Sequence, residues 1–326
     1  MRFAVLGAGA IGAYVGAALA RGGADVTLIA RGAHLLAMRE NGVRVLSPRG
    51  DFTARPPVTD DLDAVAGADV VFVALKAYSL PGIAPRLGEV LAPGAAAIWA
   101  QNGIPWWYFQ GAADQDEAAG GALESVDPGG IITKSIAPGH NVGCVVFCST
   151  EIIKPGVIRH IEGTRFTIGE PDGSASERCA EISAAFKAGG LKAPVEAKLR
   201  DQIWLKLIGN VAFNPVTALT RATLGELGSA PAMVDLLKAL FAECAAVAER
   251  LGVAFPVSLD RRLEAGIAVG DHKTSMLQDL EAGKQLEIGC MTGAVTELAG
   301  RLGVPVPHVE TIHACATLLD HLNRRA

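Results

Sequence analysis

Four polar residues recur at every fourth position of residues 197–214, a segment that is otherwise mostly apolar. They are Gln202, Lys206, Asn210 and Asn214. At about 100° per residue, a helix places them in one narrow stripe. Such a stripe can simply face water. However, this one has a single cation among neutral amides and lacks the Glu–Lys pairs of a solvated face, so it also suits an anionic or carbonyl-bearing ligand. Lys206 can then protonate a developing alkoxide, provided that desolvation lowers its pKa.

Two small residues shape the same segment. Gly209 leaves room for a group to approach the helix backbone. Pro215 disfavours helical geometry at Asn214, so the helix is predicted to end or kink at that point.

Two further candidates lie nearer the carboxyl end. Ser275 opens a predicted helix, where it can either bind a ligand or form a capping box with Gln278. Glu287 follows twelve residues later as a lone acid, a type of residue that ordinarily decorates a surface.

A glycine-rich turn stands between a short apolar strand, residues 2–6, and a helical pattern. The turn consists of Gly7, Ala8, Gly9, Ala10, Ile11 and Gly12. Its first glycine permits a tight turn, its second lets a pyrophosphate approach the backbone, and its third lets the helix lie close to the strand. In this position the motif predicts dinucleotide binding by all six residues.

The residue after the second strand, residues 25–30, predicts which dinucleotide is bound. NAD-type sites usually have an acid there for the ribose 2′-OH, whereas this chain has Arg31. An arginine can form paired hydrogen bonds to a 2′-phosphate, although a plain surface arginine is the commoner case. The sequence therefore favours NADPH as the cofactor.

Two more buried-strand patterns, residues 69–75 and 95–100, end at Lys76 and at Gln101-Asn102. Ligands of doubly wound sheets lie outside the carboxyl ends of the strands, so Lys76 and Asn102 become candidates. Alternatively, Lys76 is a solvated cap and Asn102-Gly103 a plain turn.

Composition narrows the class of protein. The 326 residues are 50% hydrophobic and 19% charged, which indicates about two folded domains and excludes a disordered chain. A net charge of −5 argues against nucleic-acid binding. The uncharged run at residues 3–20 resembles a signal peptide or a membrane span, but its glycines fit the turn, so we expect a cytoplasmic protein without a membrane segment. No pattern of ligands predicts a metal site.

A turn-rich stretch, residues 169–174, marks the predicted domain boundary. Residues 1–171 are predicted to form an α/β domain with a Rossmann-type, doubly wound, mostly parallel sheet, and residues 172–326 an all-α domain. Within the first domain, residues 157–161 and 165–168 are expected to form a hairpin. Residues 104–140 are expected to be irregular.

Taken together, these residues resemble the ketopantoate reductase (2-dehydropantoate 2-reductase) family. The resemblance rests on GAGAIG with Arg31, on Leu75-Lys76 and on Gln101-Asn102-Gly103. It rests most specifically on W-x-K-L-x-x-N-x-x-x-N-P-x-T-A, on S-M-L-Q-D, and on a Glu twelve residues after that Ser. The family implies NADPH-dependent reduction of 2-dehydropantoate to (R)-pantoate on the route to pantothenate, and it makes the solvated stripe improbable.

The resemblance also implies catalytic and cofactor roles. Lys206 would be the general acid that protonates the keto oxygen of the substrate. Glu287 would orient Lys206 or contact the cofactor. Asn102 and Lys76 would touch the cofactor, and Arg31 would meet its 2′-phosphate.

The implied substrate site consists of neutral side chains. Asn210 and Asn214 would hold the hydroxyl and carboxylate end of the substrate, and Ser275 would bind its carboxylate. Asn102 would lie near the substrate as well.

Three departures from the family pattern bear on substrate shape. Leu224 stands where some members have a third asparagine, Gly289 stands where an aspartate is frequent, and residues 104–140 are longer than in compact members. Another branched 2-oxo acid therefore remains an alternative substrate. A non-catalytic NADPH-binding paralogue is the alternative from another functional class, and a homodimer is expected from the family.

Overall fold

The computed structural model describes residues 1–111 and 119–325, which belong to two compact units. Unit 1 consists of Met1–Gln101 and Gly129–Leu199, and unit 2 of Asn102–Pro128 and Arg200–Ala326. The two units are groups of residues that lie close together in space. The division of the sequence into domains after residue 171 stays a prediction.

Unit 1 is built on one sheet, whose described strands have the order β4-β3-β9-β8-β7-β6-β1-β2-β5. The strands are β1 (Arg2–Leu6), β2 (Asp25–Ile29), β3 (Val43–Leu46), β4 (Phe52–Ala54), β5 (Val58–Thr59), β6 (Val70–Val73), β7 (Ala96–Trp99), β8 (Asn141–Lys154) and β9 (Val157–Gly169). Neighbouring strands are parallel except in the pairs β3–β4 and β8–β9. This arrangement confirms the predicted mostly parallel, doubly wound sheet.

Helices accompany the sheet within unit 1. They are α1 (Ala10–Arg21), α2 (Gly32–Asn41), α3 (Leu80–Val90), α4 (Ile131–Ser135) and α5 (Glu177–Ala188). Helix α1 lies so close to the strands that a Cβ on Gly16 would overlap the Leu28 side chain of β2. The absence of a side chain at Gly16 permits this close approach. The central strands are fully apolar, as expected for parallel strands covered on both faces.

The hairpin predicted within residues 157–168 is wrong. Both segments belong to the single strand β9, which pairs with β8 and is joined to it by a turn at Pro155-Gly156. Gly163 has a φ of +71° and lies where the register between β8 and β9 shifts. Gly163, which lies between the two predicted hairpin strands, therefore marks an irregularity inside one strand.

Unit 2 is helical in its described part, which confirms the predicted all-α character. Its helices are α6 (Leu199–Thr220, in unit 2 from Arg200 onward), α7 (Leu224–Ser229), α8 (Pro231–Arg250), α9 (Leu259–Ile267), α10 (Ser275–Glu281), α11 (Ala294–Leu302) and α12 (Pro307–Asn323). A π-helix, Gly289–Gly293, leads directly into α11. Among all the described helices, none has both the length and the hydropathy needed to cross a membrane.

Of the two outcomes predicted at Asn214, an end or a kink, the end is wrong, because α6 continues through Pro215 to Thr220. A kink there stays a prediction. A proline inside a helix removes one backbone hydrogen bond, and packing can offset that loss. Here Phe213, Asn214 and Val216 are all buried. Tertiary burial thus outweighs the local preference of the residue that precedes proline.

Candidate active site

The glycine-rich turn of unit 1 has the geometry that its motif predicts. Gly7 has a φ of +92°, and a Cβ on Gly12 would overlap the Gly7 carbonyl oxygen, so α1 begins directly against the turn. Gly9 caps α1 and, in contrast, has no described atom within 4 Å of the place where its Cβ would be. The backbone N–H groups of Ala10, Ile11 and Gly12 occupy the first turn of α1, where no intrahelical acceptor exists. This open, N–H-lined turn fits the pyrophosphate of a dinucleotide.

Arg31 and Lys76 follow the strands that flank β1. Arg31 is the exposed N-cap residue of α2, and it forms no ion pair with any residue in 1–111 or 119–325. Lys76 is half-buried just beyond β6 and makes no side-chain cap hydrogen bond. The sequence analysis assigned no role to Gln101. Its Nε2 donates hydrogen bonds to the carbonyl oxygens of Val73 (2.9 Å) and Leu75 (3.1 Å), and these bonds connect the end of β7 to the end of β6.

Unit 2 brings three of the predicted residues together. Lys206 Nζ donates a hydrogen bond to Asn102 Oδ1 at 2.7 Å, and Asn102 Nδ2 makes a longer contact of 3.5 Å with Glu287 Oε2. Glu287 is only 6% exposed, so it is not the surface acid that a lone glutamate would suggest. The Asn102 amide thus links a buried carboxylate to the lysine ammonium.

The backbone beside Asn102 fixes the position of that amide. Ile104 N donates to the Cys290 carbonyl oxygen at 2.8 Å, and a Cβ on Gly103 would overlap the same oxygen. Gly103 also has a φ of +84°, a conformation that favours glycine. Cys290 lies three residues after Glu287, so one stretch of chain positions both partners of the Asn102–Glu287 contact.

Helix α12 holds the other side of the Glu287 segment. Leu286 N donates to Asp320 Oδ1 at 2.8 Å, and Asn323 Nδ2 donates to the Lys284 carbonyl oxygen at 2.9 Å. Asp320 is 6% exposed and also contacts Arg324. No local sequence pattern predicts the contact of Asp320 with Leu286, because the two residues lie 34 positions apart.

The other residues predicted to bind substrate are placed differently. Asn214 is buried, and its Nδ2 lies 3.8 Å from Met291 Sδ. Asn210 is half-buried, one turn of α6 beyond Lys206. Ser275 is exposed, and no hydrogen bond in the described part of the chain joins it to Lys206, Asn102 or Glu287.

The capping box proposed for Ser275 is wrong by one residue. Thr274 is the N-cap of α10, and its side chain accepts a hydrogen bond from Leu277 N. Thr274 Oγ1 also lies 2.6 Å from Thr217 Oγ1 on α6. The cap therefore links the start of α10 to α6, and the Ser275 side chain is not used as the cap.

Unit 1 has a glycine-rich turn of the type found in dinucleotide-binding proteins, and unit 2 has a Lys206–Asn102–Glu287 chain. Each feature is typical of an oxidoreductase. Residues 3–173 match the family model "Ketopantoate reductase PanE/ApbA", and residues 198–320 match the model of its C-terminal region. The chain belongs to the ketopantoate reductase family, as its sequence motifs predicted.

Individual relatives agree with this assignment. The chain is 40% identical to a 2-dehydropantoate 2-reductase of Mesorhizobium japonicum over 96% of both chains. It is 36% identical to a crystal structure described as a putative ketopantoate reductase from Ralstonia solanacearum, with a TM-score of 0.90 and 98% of each chain covered. A D-mandelate dehydrogenase solved with NADH and anilino(oxo)acetate shares the fold at 19% identity, with a TM-score of 0.83 and 99% of each chain covered.

The open space at Gly9 predicts a variant that folds but binds the dinucleotide poorly. In Gly9→Ala the added methyl meets no described protein atom, so the free energy of unfolding should change by less than about 0.5 kcal/mol. The methyl would occupy the space through which the pyrophosphate approaches, so the dissociation constant for NADPH should rise at least about tenfold.

Cofactor fluorescence titration and chemical denaturation measure these two quantities. Gly82→Ala is the matched control, because Gly82 also has open space around it but lies in α3. An unchanged affinity for NADPH in Gly9→Ala would contradict the assignment of this turn.

Proposed function

We propose that this protein catalyses the NADPH-dependent reduction of 2-dehydropantoate to (R)-pantoate, a step of pantothenate biosynthesis in the cytoplasm. The observation that carries the proposal is the 2.7 Å hydrogen bond between Lys206 and Asn102, with Glu287 behind the amide. The name 2-dehydropantoate 2-reductase, borne by the Mesorhizobium japonicum relative, supports the choice of substrate.

The cofactor part of the proposal rests mainly on unit 1. Residues 7–12 would hold the pyrophosphate, and the exposed Arg31 would form paired hydrogen bonds with the 2′-phosphate. Lys76, Asn102 and Glu287 would make the remaining cofactor contacts. When bound, NADPH supplies the hydride that adds to the keto carbon.

Lys206 would act as the general acid. As the π electrons of the carbonyl move onto the oxygen, Nζ donates a proton to that oxygen, which yields the neutral alcohol and a neutral lysine. Lysine then regains a proton from solvent. Asn102 accepts a hydrogen bond from Nζ and so holds the ammonium in one direction, and Glu287 in turn restrains the amide.

The substrate would be held by side chains that follow Lys206 on α6 and by the start of α10. Asn210 and Asn214 would bind its hydroxyl and carboxylate end, Ser275 its carboxylate, and Asn102 would lie nearby. The protein's main contributions to the reaction would be this orientation of the substrate and the stabilisation of the new oxyanion.

Leu224 supports a second candidate substrate. It is buried at the start of α7, so an apolar side chain stands where some relatives have an asparagine. Another branched 2-oxo acid without the hydroxyl of 2-dehydropantoate is therefore the alternative. A non-catalytic paralogue is less well supported, because such a protein has no use for the Lys206–Asn102–Glu287 chain. A homodimer remains part of the proposal.

A panel of substrates tests the proposal. NADPH oxidation at 340 nm should be fastest with 2-dehydropantoate, slower with 2-oxoisovalerate and slowest with pyruvate. The advantage of 2-dehydropantoate follows from a site with several hydrogen-bonding amides, which lose partners when the substrate lacks a hydroxyl. Pyruvate is the slowest because it also lacks the branched apolar group. Faster turnover of 2-oxoisovalerate would favour the alternative substrate, and no turnover of any oxo acid would refute the reductase assignment.

Arg31 predicts the choice between the two nicotinamide cofactors. Arg31→Ala should raise the KM for NADPH about tenfold or more and leave the KM for NADH nearly unchanged, since only NADPH carries the 2′-phosphate. Steady-state kinetics with both cofactors measures this difference. Arg44→Ala, at another exposed arginine of unit 1, should change neither KM. Equal effects of Arg31→Ala on both cofactors would contradict the role of Arg31.

A further inference from the structure

A second cation approaches α6 beside Lys206. Arg262 lies on α9, and its Nε is 3.3 Å from the Leu205 carbonyl oxygen on α6. Its Nη2 is 3.0 Å from the place where a Cβ of Gly209 would be. The absence of a side chain at Gly209 therefore leaves room beside the helix backbone, as predicted, and the guanidinium of Arg262 occupies that room.

The guanidinium of Arg262 lacks a carboxylate partner in the part of the chain that the structure describes. Its side chain is half-buried, and no carboxylate in residues 1–111 or 119–325 forms an ion pair with it. Desolvation by burial lowers the pKa of Arg262, with no opposing effect from a nearby acid. A partly desolvated cation without an anionic partner is costly, and a bound anion relieves that cost.

The spacing along α6 relates this cation to the proton donor. Residues three apart on a helix are surface neighbours with Cβ atoms about 5–6 Å apart, and Gly209 lies three residues after Lys206. In a 2-oxo acid the carboxylate is attached directly to the keto carbon. A group that receives this carboxylate must therefore lie within a few ångströms of the group that protonates the keto oxygen.

We propose that Arg262 is a further substrate-binding residue, which receives the carboxylate of the 2-oxo acid next to Lys206. This inference rests on the proposed function and deepens it. The other candidates for the carboxylate, Ser275 and the amides of Asn210 and Asn214, are neutral. Arg262 supplies the positive charge that would make the site selective for acids over neutral ketones.

Kinetics of Arg262→Gln tests the assignment. The carboxylate carries the same charge in the ground state and the transition state, so its loss of binding should appear in KM and not in kcat. We expect the KM for 2-dehydropantoate to rise about tenfold to a hundredfold, with kcat changed less than about threefold. The KM for ketopantoyl lactone, the neutral cyclic analogue, should not rise.

Two further variants sharpen the result. Arg261→Gln removes the neighbouring, exposed arginine of α9 and should leave all constants unchanged. Gly209→Ala keeps the charge but displaces Nη2, and alanine favours the helix, so it tests the proposal even if Arg262→Gln folds poorly. It should also raise the KM for the acid.

Equilibrium binding separates this inference from the proposed function. Calorimetric titration with (R)-pantoate should show weaker binding to Arg262→Gln than to the wild type or to Arg261→Gln, whether or not the wild type turns over 2-dehydropantoate. Equal affinity of all three for pantoate, or equal losses for the acid and the lactone in Arg262→Gln, would overturn the assignment of Arg262.

Discussion

The contact between Lys206 and Glu287 through the Asn102 amide is the constraint on which the rest of the site depends. A carboxylate that is 6% exposed needs hydrogen-bonding partners to offset its lost hydration. The amide can satisfy this carboxylate only by turning its NH2 group towards it, which leaves its oxygen for the ammonium of Lys206. One buried acid thereby determines the direction of the Lys206 ammonium.

That constraint explains several features that are otherwise unconnected. Three segments, around residues 102–104, 206 and 284–290, must converge within unit 2, and the first and the last have further restraints. Gly103 and Ile104 pack on the Cys290 carbonyl oxygen, and the buried Asp320 holds Leu286. The π-helix, a rare form frequent at functional sites, begins at Gly289, two residues after Glu287. The irregular backbone is thus concentrated where the buried carboxylate must be presented.

Sequence reasoning predicted those parts that depend on local pattern. The β1–turn–α1 unit is specified by adjacent glycines, and the polar stripe of α6 by simple helical periodicity, so Gly9 and Lys206 could both be singled out as candidates. Predictions failed where tertiary contacts decide the outcome. Helix α6 does not end at Asn214, because the residues around Pro215 are buried, and Gly163 lies inside one strand and not in the turn of a hairpin. The cap of α10 is Thr274 and not the predicted Ser275 for a similar reason, because the Thr274 hydroxyl also forms a hydrogen bond with the Thr217 hydroxyl. The contacts of Asp320 with Leu286 and of Arg262 with Leu205 carry no local signal, because the partners lie 34 and 57 positions apart.

The role of Lys206 is tested most directly by Lys206→Ala in a single-turnover experiment with NADPH and 2-dehydropantoate. Lys198→Ala provides the matched control, because it removes an exposed lysine just before the same helix. Loss of a general acid costs about 10²–10⁴ in rate, so hydride transfer should slow by at least about a hundredfold in Lys206→Ala, with the affinity for NADPH unchanged. A Lys206→Ala protein whose hydride-transfer rate stays within about threefold of the Lys198→Ala control would contradict the assignment of Lys206 as the proton donor.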